Sequence, residues 1–295
     1  MPSRPGLLLL KSLRPQQWTK NLFVFAGLLF SGRLLDRTAW PAAVAAFFVF
    51  CGLSGAIYLV NDVLDRAADS QHPIKRRRPI ASGALSPGVA LGTALVLAAV
   101  CIAGATAVNA GLTMAAVTYV VLLAAYSAAL KHYVIIDVLT LSAGFVLRAV
   151  AGAVAIAVPI SHWLLMCTTL LALFIGLSKR RHELTLLSDS AAAGHRPILQ
   201  EYSPYLLDQM ISVVTAATLV AYSFYTFSSE TAGRLGSDRL GLTIPFVLYG
   251  IFRYLYLVHR RNEGGSPSEL LLTDRPLLVC VALWAVAVVL VIYVI

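Results

Sequence analysis

The chain has 295 residues, 59% of them hydrophobic and only 13% charged, with 23 Lys and Arg against 14 Asp and Glu for a net charge of +9. A mean hydropathy of +0.79 places it among polytopic membrane proteins and leaves no length for a separate soluble domain. So much positive charge on so apolar a chain is a membrane and phosphate signature, and it offers no surface for nucleic-acid binding.

A spanning helix takes roughly 20 apolar residues. The sequence predicts nine such spans, at about 20–35, 41–61, 88–107, 111–130, 134–156, 161–178, 210–229, 240–258 and 277–295. The expected fold is therefore all-α, a nine-helix transmembrane bundle forming one integral membrane domain over residues 1–295. The first span is the weakest, with Lys20 and Asn21 at its start. Residues 7–10 are apolar, but Arg14, Gln16 and Gln17 follow where a cleavable signal would need small residues. Arg4, Lys11, Arg14, Lys20, Arg66, Lys75 to Arg78, Lys131, Lys179 to Arg181, Arg196, Arg260, Arg261 and Arg275 fall on one side of these spans. Only Arg33, Arg37, Arg234 and Arg239 fall on the other. The positive-inside rule then puts the N-terminus in the cytoplasm and the C-terminus opposite, in a bacterial-type inner (plasma) membrane. The long polar connections 62–87, 179–209 and 259–276 all lie on the cytoplasmic side. Loops elaborated on one face favour a one-sided enzyme over a transporter, which needs access from both.

Along the chain, Trp18 is an interfacial anchor, and Lys20 either snorkels to headgroups or reaches a polar site. The second span ends in Asn61-Asp62-x-x-Asp65-x-x-x-Asp69, three of the fourteen acids within eight residues. On one helix Asn61, Asp65 and Asp69 stand at i, i+4 and i+8, with Asp62 alongside. Stacked carboxylates at a membrane boundary repel one another unless a cation holds them. Oxygen ligands suit a hard divalent ion, Mg2+ carrying a phosphorylated substrate, with Mn2+ able to replace it. The motif opens into His72-Pro73-x-Lys75-Arg76-Arg77-Arg78-Pro79-Ile80-Ala81-Ser82-Gly83, where Lys75, Arg76 and Arg78 are candidate anion ligands.

Further on, Tyr126 and Lys131 close the fourth span, as part of a cavity wall or of an aromatic belt. Asp137 opens the fifth span, as a cap or a partner. Arg148 lies midway along it, where an uncompensated arginine costs at least about 2.5 kcal/mol, so it must face a polar cavity. Ser178-Lys179-Arg180-Arg181-His182-Glu183-Leu184 ends the sixth span. Lys179, Arg180 and Arg181 suit a phosphate or diphosphate, against the plainer reading of a topology signal. The histidines lack zinc-ligand spacing. Cys51, Cys101, Cys167 and Cys280 sit within spans without CxxC spacing and read as small buried residues. No GxSxG, P-loop or GxGxxG occurs.

These motifs together, with Tyr126-Ser127-x-x-Leu130-Lys131 and Gly144-Phe145-x-x-Arg148-x-x-Ala151-Gly152, resemble the UbiA superfamily of intramembrane prenyltransferases over nearly the whole chain. The resemblance implies a helical bundle with a cytoplasm-facing active site and Asn61, Asp62, Asp65 and Asp69 as metal ligands, the three acids being catalytic. It departs after the sixth span, where most members carry a second Asp-rich motif and this chain has Lys179 to Leu184. That departure, with Leu13-Arg14-Pro15-x-Gln17-Trp18-x-Lys20-Asn21, is similar to the decaprenyl-phosphate phosphoribosyltransferase branch. What that branch implies is transfer of 5-phosphoribosyl from phosphoribosyl diphosphate (PRPP) to a polyprenyl phosphate, a step toward arabinose donors for cell-wall polysaccharide. Substrate contacts would come from Lys20, Asn21, Lys75, Arg76, Arg78, Tyr126, Lys131, Arg148, Lys179, Arg180 and Arg181. The alternative is an ordinary family member moving a prenyl group from a diphosphate to an aromatic acceptor. Implied partners are PRPP, polyprenyl phosphate and membrane lipids, with a homo-oligomer left open.

Overall fold

The computed structural model describes residues 5–71, 75–188, 197–261, 270–271 and 273–294, and among these the chain is helical with no strand. His72, Pro73, His195 and Arg196 lie outside the described residues. Two short helices, α1 (Pro5–Ser12) and α2 (Ala26–Phe30), precede α3 (Trp40–Leu64) and α4 (Arg66–Gln71). Then come α5 (Pro87–Val108), α6 (Ala110–Ala128), α7 (Ile136–Ala155), α8 (His162–Ser188), α9 (Pro204–Phe227), α10 (Ser229–Leu235), α11 (Ile244–Arg260) and α12 (Arg275–Tyr293). Eight segments are long and apolar enough to cross a membrane, namely α3, α5, α6, α7, α8, α9, α11 with the turn before it, and α12. They match the last eight predicted spans.

Their boundaries follow from local chemistry. Ser86 and Ser203 each accept a hydrogen bond from a first-turn N–H, with proline directly behind them. Asn109 serves two helices at once. Its Oδ1 caps α6 through Leu112 N–H at 2.8 Å, and its amide donates to Val154 O and Ala155 O at the end of α7. Consecutive long helices pack side by side, so the ends of α3, α6 and α8 share one end of the bundle with the starts of α5, α7 and α9.

The first predicted span, 20–35, takes another form: a 3-10 run over Pro15–Phe25 continued by α2. Exposure along it has a period of three. Gln16, Thr19 and Leu22 face out while Asn21, Val24 and Gly27 are buried. It lies antiparallel to α3, with Arg14 on Asp62 at one end and the Phe25 ring 5.4 Å from Phe47 at the other. Eleven 3-10 residues at about 2.0 Å rise reach about 22 Å. The fifteen steps of α3 from Phe47 to Asp62 cover the same depth at about 1.5 Å each. The short run therefore traverses the bundle alongside a full helix. Two glycines allow its approach to α7. A Cβ on Gly152 would stand 1.7 Å from Val24 O, and one on Gly27 would stand 2.7 Å from Ala153 N.

The cysteines are free, and three of the four are buried.

Candidate functional site

The acidic motif is assembled by a helix break. The helix expected through Asp69 stops at Leu64, with Asp65 as its cap, and resumes as α4. Hydrogen bonds from Asp65 N to Asn61 O (2.9 Å) and from Asp69 N to Asp65 O (2.8 Å) keep the helical register across the break. The buried carboxylates are Asp62 and Asp69, whereas Asn61 and Asp65 are half-exposed.

Each acid faces a cation. Arg78 Nη1 lies 2.5 Å from Asp69 Oδ2 and 3.1 Å from Asp62 Oδ1, bridging the two. Arg14 donates to the same oxygen of Asp62. Lys75 Nζ is 3.8 Å from Asp69, and Lys131 Nζ is 2.9 Å from Asp65. Both arginines are held by local structure. Arg14 adopts a left-handed conformation (φ 52°) before Pro15 and stacks on Tyr58 at 4.8 Å. Burial pulls its guanidinium below the ordinary arginine value, and Asp62 opposes the shift. Arg78 leads a turn in which Ser82 N–H bonds back to Arg78 O and Gly83 takes φ +79°. Ile80, fully buried in that turn, plugs into a cluster with Leu59, Ala90 and Ala94. Arg76 is exposed in the adjoining turn and approaches none of the acids.

Deeper along α3 and α7, Arg148 is 6% exposed and surrounded by neutral partners. Its Nε donates to Asn21 Oδ1 at 2.7 Å, its Nη1 to Gly144 O at 2.8 Å, and its Nη2 to the Tyr119 hydroxyl at 2.7 Å. Tyr119 and Phe145 stack against the guanidinium at 4.9 and 5.1 Å. Arg148 does face polar groups, as its depth in the span requires, and through Asn21 it fixes the 3-10 run against α7. Lys20, next to Asn21, is half-buried and forms no ion pair among the described residues.

The Lys179–Arg181 cluster does not form one cationic patch. α8 continues to Ser188, so successive side chains diverge by about 100°. Arg180 points inward, 2.7 Å from Asp137 and 2.6 Å from Glu183, with the Tyr126 hydroxyl at 3.4 Å. Tyr202 completes the network. It donates to Asp137 at 2.9 Å and accepts from Ile135 N–H at 2.7 Å, and burial pushes its phenol up to about 12. Asp137 is thus a fully buried partner rather than only a cap. Arg181 turns to Asp208 on α9 at 2.5 Å, and Lys179 lies 3.9 Å from Glu183. Tyr126 and Lys131 link this network to the acids: one touches Arg180, the other Asp65.

Sequence reasoning missed Arg14, Tyr119, Tyr202 and Asp208 as site-forming residues. Tyr119 was the most accessible of them, since it stands two turns before Tyr126 on the same face of α6.

Asn61, Asp62, Asp65 and Asp69 are an all-oxygen donor set of the kind Mg2+ takes. Among the described residues no three His, Cys, Asp or Glu side chains are grouped closely enough to hold an ion as they stand. The guanidinium of Arg78 occupies the point where Asp62 and Asp69 converge, standing in for a cation. The residues fit a divalent ion once Arg78 yields that point.

Decaprenyl-phosphate phosphoribosyltransferase of Corynebacterium glutamicum is 36% identical over 292 residues, 97% of this chain and 87% of that protein. The protein of the same name from Mycolicibacterium smegmatis is 34% identical over 287 residues, covering 94% and 89% respectively. Among solved structures, a UbiA homologue of Archaeoglobus fulgidus bound to DMAPP and Mg2+ superposes with a TM-score of 0.74 over 97% of this chain and 99% of its own. Its identity is 19%, so the likeness concerns the fold alone. The UbiA prenyltransferase family profile matches residues 21–273. The chain belongs to the UbiA prenyltransferase family.

Proposed function

We propose that this chain transfers the 5-phosphoribosyl group of PRPP to a polyprenyl phosphate and releases diphosphate. The observation that carries the reading is the end of α8. In the place of a second acidic motif, Arg180 is locked between Asp137 and Glu183, while the named relatives supply the substrates. One metal-binding acid set beside many cations suits a reaction whose two substrates carry several phosphates between them. A second exposed acid cluster would repel the acceptor phosphate.

In this reading Asn61, Asp62, Asp65 and Asp69 hold Mg2+, which when bound supplies charge neutralisation for the leaving diphosphate. Arg14, Lys75, Arg78 and Lys131 surround that position and bind the diphosphate oxygens. The lipid phosphate oxygen attacks C1 of the ribose as the C1–O bond to diphosphate breaks, through oxocarbenium character at C1. The acceptor is already an anion, so no general base is required, and catalysis is positioning plus electrostatics. Lys20, beside Asn21, is the cation placed for the acceptor or the 5-phosphate; Arg148 positions Asn21. The site end carries most of the basic residues, so it faces the cytoplasm of a plasma-membrane protein that works as one integral domain.

Purified protein given radiolabelled PRPP and polyprenyl phosphate is expected to move label into the lipid phase, to stop with EDTA and to resume with Mg2+ or Mn2+. Undiminished labelling in metal-free buffer would remove the metal from the mechanism. Prenylation of an aromatic acid from a prenyl diphosphate, with PRPP ignored, would overturn the whole reading. Lys179, half-exposed and 3.9 Å from Glu183, offers a separate check. Loss of one charge-assisted contact in Lys179→Ala is worth roughly 1.5–3 kcal/mol, or about one to two decades in kcat/KM, felt mainly as a raised KM. An unchanged KM for both substrates would make Lys179 a topology signal only.

A further inference from the structure

The charges around the acidic motif do not balance. Among the described residues three carboxylates, Asp62, Asp65 and Asp69, face four cations, Arg14, Lys75, Arg78 and Lys131, a net charge of plus one for these seven groups before any metal arrives. Asp62 and Asp69 are 3% and 5% exposed at the side chain, while Arg14 and Arg78, which cover them, are 28% and 29% exposed. An approaching ion therefore meets guanidinium groups first. A bare dication would raise the local charge to about plus three and would strip Arg14 and Arg78 from buried acids with no anion to receive them. A diphosphate brings several negative charges, and its oxygens suit the planar fork of arginine.

We infer that Arg14 and Arg78 are exchangeable counter-ions of Asp62 and Asp69, and that a divalent ion enters the acid set only together with its diphosphate. The ion takes the carboxylates, and the two guanidiniums move from those carboxylates onto diphosphate oxygens. No covalent bond changes in this exchange. The turn around Ile80 and the left-handed conformation of Arg14 hold both backbones, so the movement is confined to side-chain torsions. Asp65, 44% exposed at its side chain, is the carboxylate most open to the incoming complex. The inference rests on the metal assignment made above. It does not depend on which diphosphate ester is the substrate.

The test is a Mn2+ titration of the full-length, detergent-solubilised protein followed by electron paramagnetic resonance. It is run with and without inorganic diphosphate and corrected for Mn2+–diphosphate complexation in buffer. Wild-type protein is expected to bind Mn2+ more tightly with diphosphate by about 5- to 150-fold, the usual span of coupled binding. Arg78→Gln is expected to raise affinity for Mn2+ alone and shrink the coupling to a few-fold. Arg14→Gln provides the same readout if Arg78→Gln does not fold. Equal Mn2+ affinity with and without diphosphate in the wild type would overturn the inference, as would unchanged coupling in a folded Arg78→Gln. Coupling seen here in a protein that ignores PRPP in the lipid-labelling assay would sink the proposed substrate and leave the exchange standing.

Discussion

Asp65→Asn is expected to abolish transfer of labelled phosphoribosyl to lipid while leaving a folded protein. The side chain is half-exposed and its one described partner is Lys131 at 2.9 Å, so removing its charge costs little stability. Its charge is nevertheless part of the acid set assigned above to the metal. Charge neutralisation by a metal is worth several kcal/mol at the transition state, and about 4 kcal/mol is three decades in rate. Asp69→Asn should lose at least as much activity, and some stability too, because Asp69 is buried beneath Arg78. Initial rates at saturating Mg2+, paired with thermal unfolding in detergent, separate the two effects. A rate near wild type in either variant would dismantle the metal assignment.

Arg180→Met is expected to show the largest loss of stability. Arg180 and Asp137 are almost fully shielded, and the substitution leaves Asp137 buried with only the Tyr202 hydroxyl as a described partner. Removing one member of such a pair typically costs about 3–5 kcal/mol, whereas replacing both costs much less. The double variant Asp137→Asn/Arg180→Met should therefore unfold later than the sum of the single changes implies, by a coupling of about 0.5–3 kcal/mol. Thermal unfolding of the four proteins measures it. If Arg180→Met instead stays stable and raises the KM for PRPP by decades, Arg180 binds substrate directly.

The contrast between Arg180 and its neighbours shows where sequence reasoning stopped. The apolar stretches, their Ser-Pro and Asn boundaries and the acidic motif are local signals, and eight predicted spans match helices directly. The Lys179–Arg181 run looks like one patch when written in a line. On a continuous helix it becomes three directions with three partners, and Asp137 and Asp208 come from segments tens of residues away. Arg148 was legible as a buried charge needing company, but its partners Asn21 and Tyr119 come from elements with no sequence proximity. The 3-10 run was hidden for another reason. Hydrophobicity over 20–35 is compatible with any helix, and only the period-three exposure of Gln16, Thr19 and Leu22 separates one kind from the other.

That run has a consequence for sidedness. Crossings alternate faces, so a chain with eight returns to the side on which it began, whereas a ninth sends its far end across. A count of long apolar helices gives an even number. The Pro15–Phe25 run and α2 total only sixteen residues, yet the longer rise of the 3-10 turns brings their combined reach to about 30 Å, the hydrocarbon thickness. Parity therefore turns on a segment that length criteria pass over. With it counted, Pro5 and Val294 are expected on opposite faces of the membrane, and reporter fusions at the two ends that gave the same signal would refute that count.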